Sequence, residues 1–68
     1  MATLSLSVKG MTCQGCVRSV EKALRAVDGV QDVTVSLEKN QATVVFDDKQ
    51  AGAADFRGAV EDAGYDVQ

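Results

Sequence analysis

Apolar residues recur along this chain with two different periods, and the switches between them mark out its elements. Leu4, Leu6 and Val8 alternate with Ser5, Ser7 and Lys9, the period of a strand with one buried face. Gly10 ends it, and Met11 to Gly15 reads as a short loop. Val17, Val20, Ala23, Leu24 and Val27 then recur at spacings of three and four, which predicts a helix that ends at Gly29. A glycine just past the last turn takes the left-handed conformation that closes exposed carbonyls. Val30, Val33, Val35 and Leu37 predict a second strand, Glu38 to Gln41 a polar turn, and Ala42, Val44 and Phe46 a third strand that stops at Asp47 and Asp48. These two strands read as a hairpin. Phe56, Ala59, Val60 and Ala63 mark a second amphipathic helix closed by Gly64, and Tyr65 and Val67 leave a brief final strand.

The order βαββαβ predicts an α+β fold of the ferredoxin-like, split βαβ kind: four antiparallel strands carrying both helices on one face. With 68 residues the chain is read as one domain, 1–68. A domain of that size hides only about 60% of its unfolded surface and has no room for a deep substrate cavity. The two halves look like weak structural repeats with different connections. Between strand and helix the first carries Gly10-Met11-Thr12-Cys13-Gln14-Gly15-Cys16, the second an acidic stretch from Asp47 to Gln50. Chemistry is therefore expected in the first half.

A net charge of −3 argues against nonspecific nucleic-acid binding, which needs a basic surface. The charge is also uneven. Up to Arg25 there are four basic residues and one acid, and beyond it three basic residues and nine acids. The opening residues lack a basic stretch followed by an apolar run, so no export signal is expected, and no segment approaches the roughly 20 apolar residues of a membrane span. Two cysteines without such a signal are expected to be reduced thiols in the cytoplasm rather than a disulfide framework.

Cysteines two residues apart can direct both sulfurs to one point, and this pair lies where a loop enters a helix. Cys16 falls in or just before the first turn, where unpaired amides and the positive dipole end favour an anion, so its thiol is expected to be acidified. Thiolate is what a soft metal ion requires. Gly10 and Gly15 are expected to let the loop adjust as the sulfurs move, and Arg18 to offset the charge that two thiolates keep around Cu(I). Simple packing of two cysteines is one alternative. A dithiol oxidoreductase is another, since Cys-x-x-Cys after a strand and before a helix is also a thioredoxin-like signal. Against it stand the short chain, the lack of proline and tryptophan, and a hairpin where a βαβ continuation belongs. A closed zinc site wants four protein ligands, and the chain has no histidine and no third cysteine. Two sulfurs suffice for Cu(I), and an underfilled site can exchange its metal. With no histidine or acid beside the thiols, catalysis is not expected.

With this pattern around it, Gly10-Met11-Thr12-Cys13-Gln14-Gly15-Cys16 resembles the heavy-metal-associated domain family over essentially the whole chain. That family includes free copper chaperones and the amino-terminal metal-binding domains of copper-transporting P-type ATPases. The resemblance implies that Cys13 and Cys16 are the metal ligands and that Met11 tucks into the core and anchors the loop, with Thr12 and Gly15 part of the same motif. It implies that Tyr65 sits beneath the metal loop, as in bacterial copper chaperones, where eukaryotic ones usually carry lysine. Zinc and cadmium members often place an acid beside the cysteines, and none lies between Gly10 and Val17. Mercury-binding periplasmic members share the Met-Thr-Cys loop and a similar Ala63-Gly64-Tyr65 segment but normally begin with an export signal.

The resemblance thus implies a cytoplasmic Cu(I) carrier that delivers to a P-type ATPase metal-binding domain, the alternatives being an excised ATPase domain or a mercury or zinc relative. Arg18, Lys22 and Arg25, at i, i+4 and i+7, form a basic stripe expected either to dock an acidic patch on that partner or to be a solvated helix face. The metal-free protein is expected to be monomeric, and two sites facing one another would share Cu(I) through four cysteines in a copper-bridged dimer.

Overall fold

The computed structural model describes residues 1–67, with Gln68 outside the described residues. Its elements follow the expected order: β1 (Ala2–Lys9), α1 (Gln14–Arg25), β2 (Val30–Ser36), β3 (Gln41–Phe46), α2 (Ala53–Asp62) and β4 (Asp66–Val67). The strands form one four-stranded sheet in the order β2-β3-β1-β4, with antiparallel neighbours throughout. This is the ferredoxin-like arrangement.

Alternation along the strands decides which face is covered. Leu6 and Val8 of β1, Val33 of β2, and Ala42, Val44 and Phe46 of β3 are buried, and they share one core with Val20 and Leu24 of α1 and Phe56 and Val60 of α2. Both helices therefore lie on the same face. Phe56 is fully buried and meets Phe46 edge-on, ring centroids 4.8 Å apart, which ties α2 to the sheet. On the open face hydroxyl residues stand side by side, and Ser5 Oγ lies 3.4 Å from Thr43 Oγ1.

Element ends differ from the sequence reading for local reasons. The stretch expected as a loop from Met11 to Gly15 is cut short, because Cys13 is already the residue capping α1 and Gln14 and Gly15 lie in its first turn. The helix stops at Arg25, before Val27, where a tight turn lets the Val27 N–H donate to the Leu24 carbonyl. Gly29 has φ +92°, and a Cβ there would stand 2.7 Å from the Gln50 Cβ, so both conformation and space demand glycine. Helix α2 begins at Ala53, before its first apolar anchor Phe56, and β4 begins after Tyr65.

Candidate metal centre

β1 and β4 pair through Val8–Val67 and Lys9–Asp66, which brings the end of β1 and the segment after α2 to the same end of the sheet. Gly10 turns the chain off β1 with φ +97°, a conformation L side chains resist. Met11 then turns inward and is buried in the core, while Thr12 and Cys13 are exposed above it. A buried side chain directly before two exposed ones gives the loop a fixed foot and a free top.

Cys13 performs a task usually given to serine or aspartate. Its backbone is extended (φ −154°, ψ 169°), and its Sγ accepts the Cys16 N–H at 3.3 Å, one of the amides that a helix start leaves unpaired. Cys16 is thereby held with its own sulfur 2.9 Å from that of Cys13, and both cysteines are free thiols. Thr12 Oγ1 stands at 4.0 Å from Cys16 Sγ. The Cys16 thiol is pulled from an ordinary 9.0 down to about 6, first by the hydrogen bond with the Cys13 side chain, then by the Thr12 backbone and by Tyr65. Reciprocally, the Tyr65 hydroxyl is pushed up, first because Cys16 engages it and then by partial desolvation. No Tyr65–Cys16 hydrogen bond of good geometry occurs among the described residues, so Tyr65 acts as a neighbour at longer range. Its ring lies against the loop turn, where a Cβ on Gly10 would come 3.6 Å from Tyr65 Cδ1.

The donor set fits a two-coordinate soft cation. Among the described residues no group of three or more histidine, cysteine or acidic side chains converges anywhere. Cys13 and Cys16 would hold such an ion through their two thiolates, which suit a soft cation. The two sulfurs stand 2.9 Å apart, Cys13 exposed and Cys16 half-buried.

The other expected residues divide. Gly15 lies in the first helical turn, not in the loop where it was expected, without a positive φ, and a Cβ there would make only an ordinary 3.7 Å contact with Cys13 Sγ. Arg18 and Lys22 are exposed on α1, without an ion-pair partner among the described residues. Arg25, the third residue of the stripe, is exposed as well but paired. Its guanidinium pairs with Glu21 at 3.1 Å and Asp32 at 3.4 Å, which draws it toward β2. Ser19 was not anticipated. Its hydroxyl donates to the Gly15 carbonyl at 3.1 Å and draws the Tyr65 hydroxyl in the opposite sense to Cys16. Its position one turn beyond Cys16 was the available signal.

Residues 5–66 match the family described as heavy-metal-associated domain. The chain belongs to the heavy-metal-associated domain family. A copper chaperone, CopZ, of Staphylococcus saprophyticus is 44% identical over 68 residues, covering all of both chains. The periplasmic component of a mercuric transport protein of Pseudomonas fluorescens is 48% identical over 63 residues, covering 93% of this chain and 69% of its own. A copper binding domain from HMA7, a P-type ATPase, superposes with a TM-score of 0.97 at 41% identity, covering 100% of this chain and 92% of its own. This heavy-metal-associated domain is therefore similar in sequence and shape to carriers and to transporter domains alike.

Proposed function

We propose that this domain is a cytoplasmic copper carrier, not an enzyme: it binds Cu(I) between Cys13 and Cys16 and passes it to the metal-binding domain of a copper-transporting P-type ATPase. The observation that carries the reading is a pair of convergent thiols, Cys13 exposed and Cys16 half-buried, with no third ligand beside them among the described residues. Such a site holds a soft ion while leaving room for an incoming thiolate. Similarity to a copper chaperone along its whole length supports the reading. No helix among the described residues is long and apolar enough to cross a membrane.

In the proposed cycle the thiols give up their protons as Cu(I) binds, Cys16 most readily because it is already acidified. A target thiolate enters as third ligand, one of the domain's own sulfurs leaves, and the ion moves across. Met11, buried beneath the loop, keeps the backbone in place during the exchange, while Thr12 and Tyr65 border the sulfurs. Arg18 and Lys22, exposed on the helix that starts at the cysteines, offer a basic surface to an acidic target. A second reading, Hg(II) as the cargo, is favoured by the mercuric transport relative, since a dithiolate pair also suits that ion.

The test is direct transfer. The Cu(I)-loaded domain is mixed with a metal-free Cys-x-x-Cys domain of a copper ATPase, and the metal is followed by mass spectrometry under native conditions. Rapid partition between the two, slowed in Arg18→Glu/Lys22→Glu without weaker Cu(I) binding, is expected. Retention of copper by the loaded domain would contradict the delivery role, and unchanged transfer in the charge-reversed variant would remove the docking surface.

A further inference from the structure

Strand β2 forms one edge of the sheet and is seven residues long, whereas the opposite edge, β4, has two among the described residues. A long edge strand presents free N–H and C=O groups to any other strand, and β2 contains Val30, Val33, Thr34 and Val35, side chains well suited to pairing. Outward-facing backbone groups alternate along an antiparallel strand. At Val33 both find side-chain partners. Its N–H donates to Asp32 Oδ1 at 2.9 Å, and its carbonyl accepts from Arg25 Nη2 at 3.4 Å. Val35 faces the same way, and its outward groups have no such partner among the described residues.

Arg25 reaches this edge from the last turn of α1. It is steadied by Glu21 at 3.1 Å on its own helix and by Asp32 at 3.4 Å across the gap. The 2.9 Å bond makes Asp32 the stronger of the two covers. A register irregularity between Val30 and Asp32 bends the strand just before the covered position. Charged side chains and bulges are the devices by which proteins blunt sheet edges, and here both converge on one stretch.

We propose that Arg25 and Asp32 form a guard over the edge of β2, closing a surface that a second copy of this chain would otherwise occupy by antiparallel strand pairing. With Val33 covered, Val35 alone offers one donor and one acceptor, too few to hold another strand. With Val33 uncovered, two successive outward positions become available, and a two-fold axis across them matches each donor to an acceptor on the copy. The inference is independent of which metal the cysteines hold.

The experiment is sedimentation of metal-free, reduced Arg25→Ala/Asp32→Ala protein over a rising concentration series with chelator present, so that no metal bridges two molecules. The expected result is a concentration-dependent shift from the mass of one chain to that of two, while wild type stays monomeric at the same concentrations. Adding Val35→Pro removes an outward N–H without taking a bond from the β3 ladder, and should restore the monomer. A folded double variant that sediments as wild type throughout, or a dimer that survives Val35→Pro, would overturn the proposal. Amide exchange gives a second reading at dilution. In Asp32→Ala the Val33 N–H should exchange about tenfold faster than in wild type, and an unchanged rate would equally overturn the guard.

Discussion

The chain passes from strand to helix twice, after β1 and after β3, and the two junctions use different side chains, and different amides, at the helix start. At the second the side chains are carboxylates. Asp55 Oδ2 accepts the Gly52 N–H at 2.9 Å, and in the turn before the helix Asp47 Oδ1 accepts the Lys49 N–H at 3.0 Å. Gly52 has no side chain to return the bond, so only half of a reciprocal cap exists there. The Asp47 carbonyl takes the N–H groups of Gln50 and Ala51 at 3.0 Å each, and Ala51 is buried. At the first junction no acid stands in the opening turn, and the sulfur of Cys13 accepts the Cys16 N–H. A fixed carboxylate closes its junction permanently. A sulfur that is both cap and ligand leaves its junction open to an ion that comes and goes.

The sharpest way to break this contrast is to place a carboxylate at the cap of the first junction. Cys13→Asp should hold the Cys16 N–H at least as well as sulfur does, raising metal-free stability in urea by about 0.5–1 kcal/mol, while Cu(I) affinity falls by several orders of magnitude. Equal affinity in that variant would show that Cys13 is a cap and not a ligand. The converse change, Asp55→Ala, should cost about 1 kcal/mol of stability in the same assay and leave Cu(I) affinity unchanged. A change in affinity would mean the junctions are not independent.

Acidity offers a finer test. Alkylation of Cys16 in the metal-free protein should be half-maximal near the pH of its thiol, about 6. Because that value lies below the ordinary 9.0, thiolate formation favours the folded chain. The contribution is complete above the unfolded value and disappears as pH falls through about 6, so metal-free stability should decline over that interval on acidification. Cys13→Ala should raise the alkylation midpoint most, since Cys13 is the largest cause of the depression, and Tyr65→Phe should raise it least of these changes. An ordinary midpoint in wild type would remove the acidified thiol.

Most of the fold was legible because alternation and helical spacing report burial directly. Leu6, Val8, Val20, Leu24, Val44, Phe56 and Val60 all reach the core that their periods predict. Ends were less legible where residues carry no apolar signal. Ala53, Ala54 and Asp55 extend α2 as exposed helical residues, and cysteine is an uncommon helix cap, so the start of α1 was concealed by the residue that makes it. The position of the cysteine pair was plain in the sequence, but its internal bonding was not, since Cys13 Sγ to Cys16 N–H depends on one backbone conformation. The second partner of Arg25 was hidden for another reason. Helical spacing places Arg25 in line with Arg18 and Lys22, whereas its partner Asp32 lies on a strand that only the crossover brings alongside.

The central claim is that two thiols form an underfilled site for Cu(I). It is tested most directly by competition titration of the reduced domain with Cu(I) and, in parallel, Zn(II) against calibrated chelators, using wild type and Cys13→Ala/Cys16→Ala. The account predicts tight Cu(I) binding that vanishes in the double variant, with zinc held far more weakly. Zinc held more tightly than Cu(I), or Cu(I) binding that survives loss of both cysteines, would contradict it.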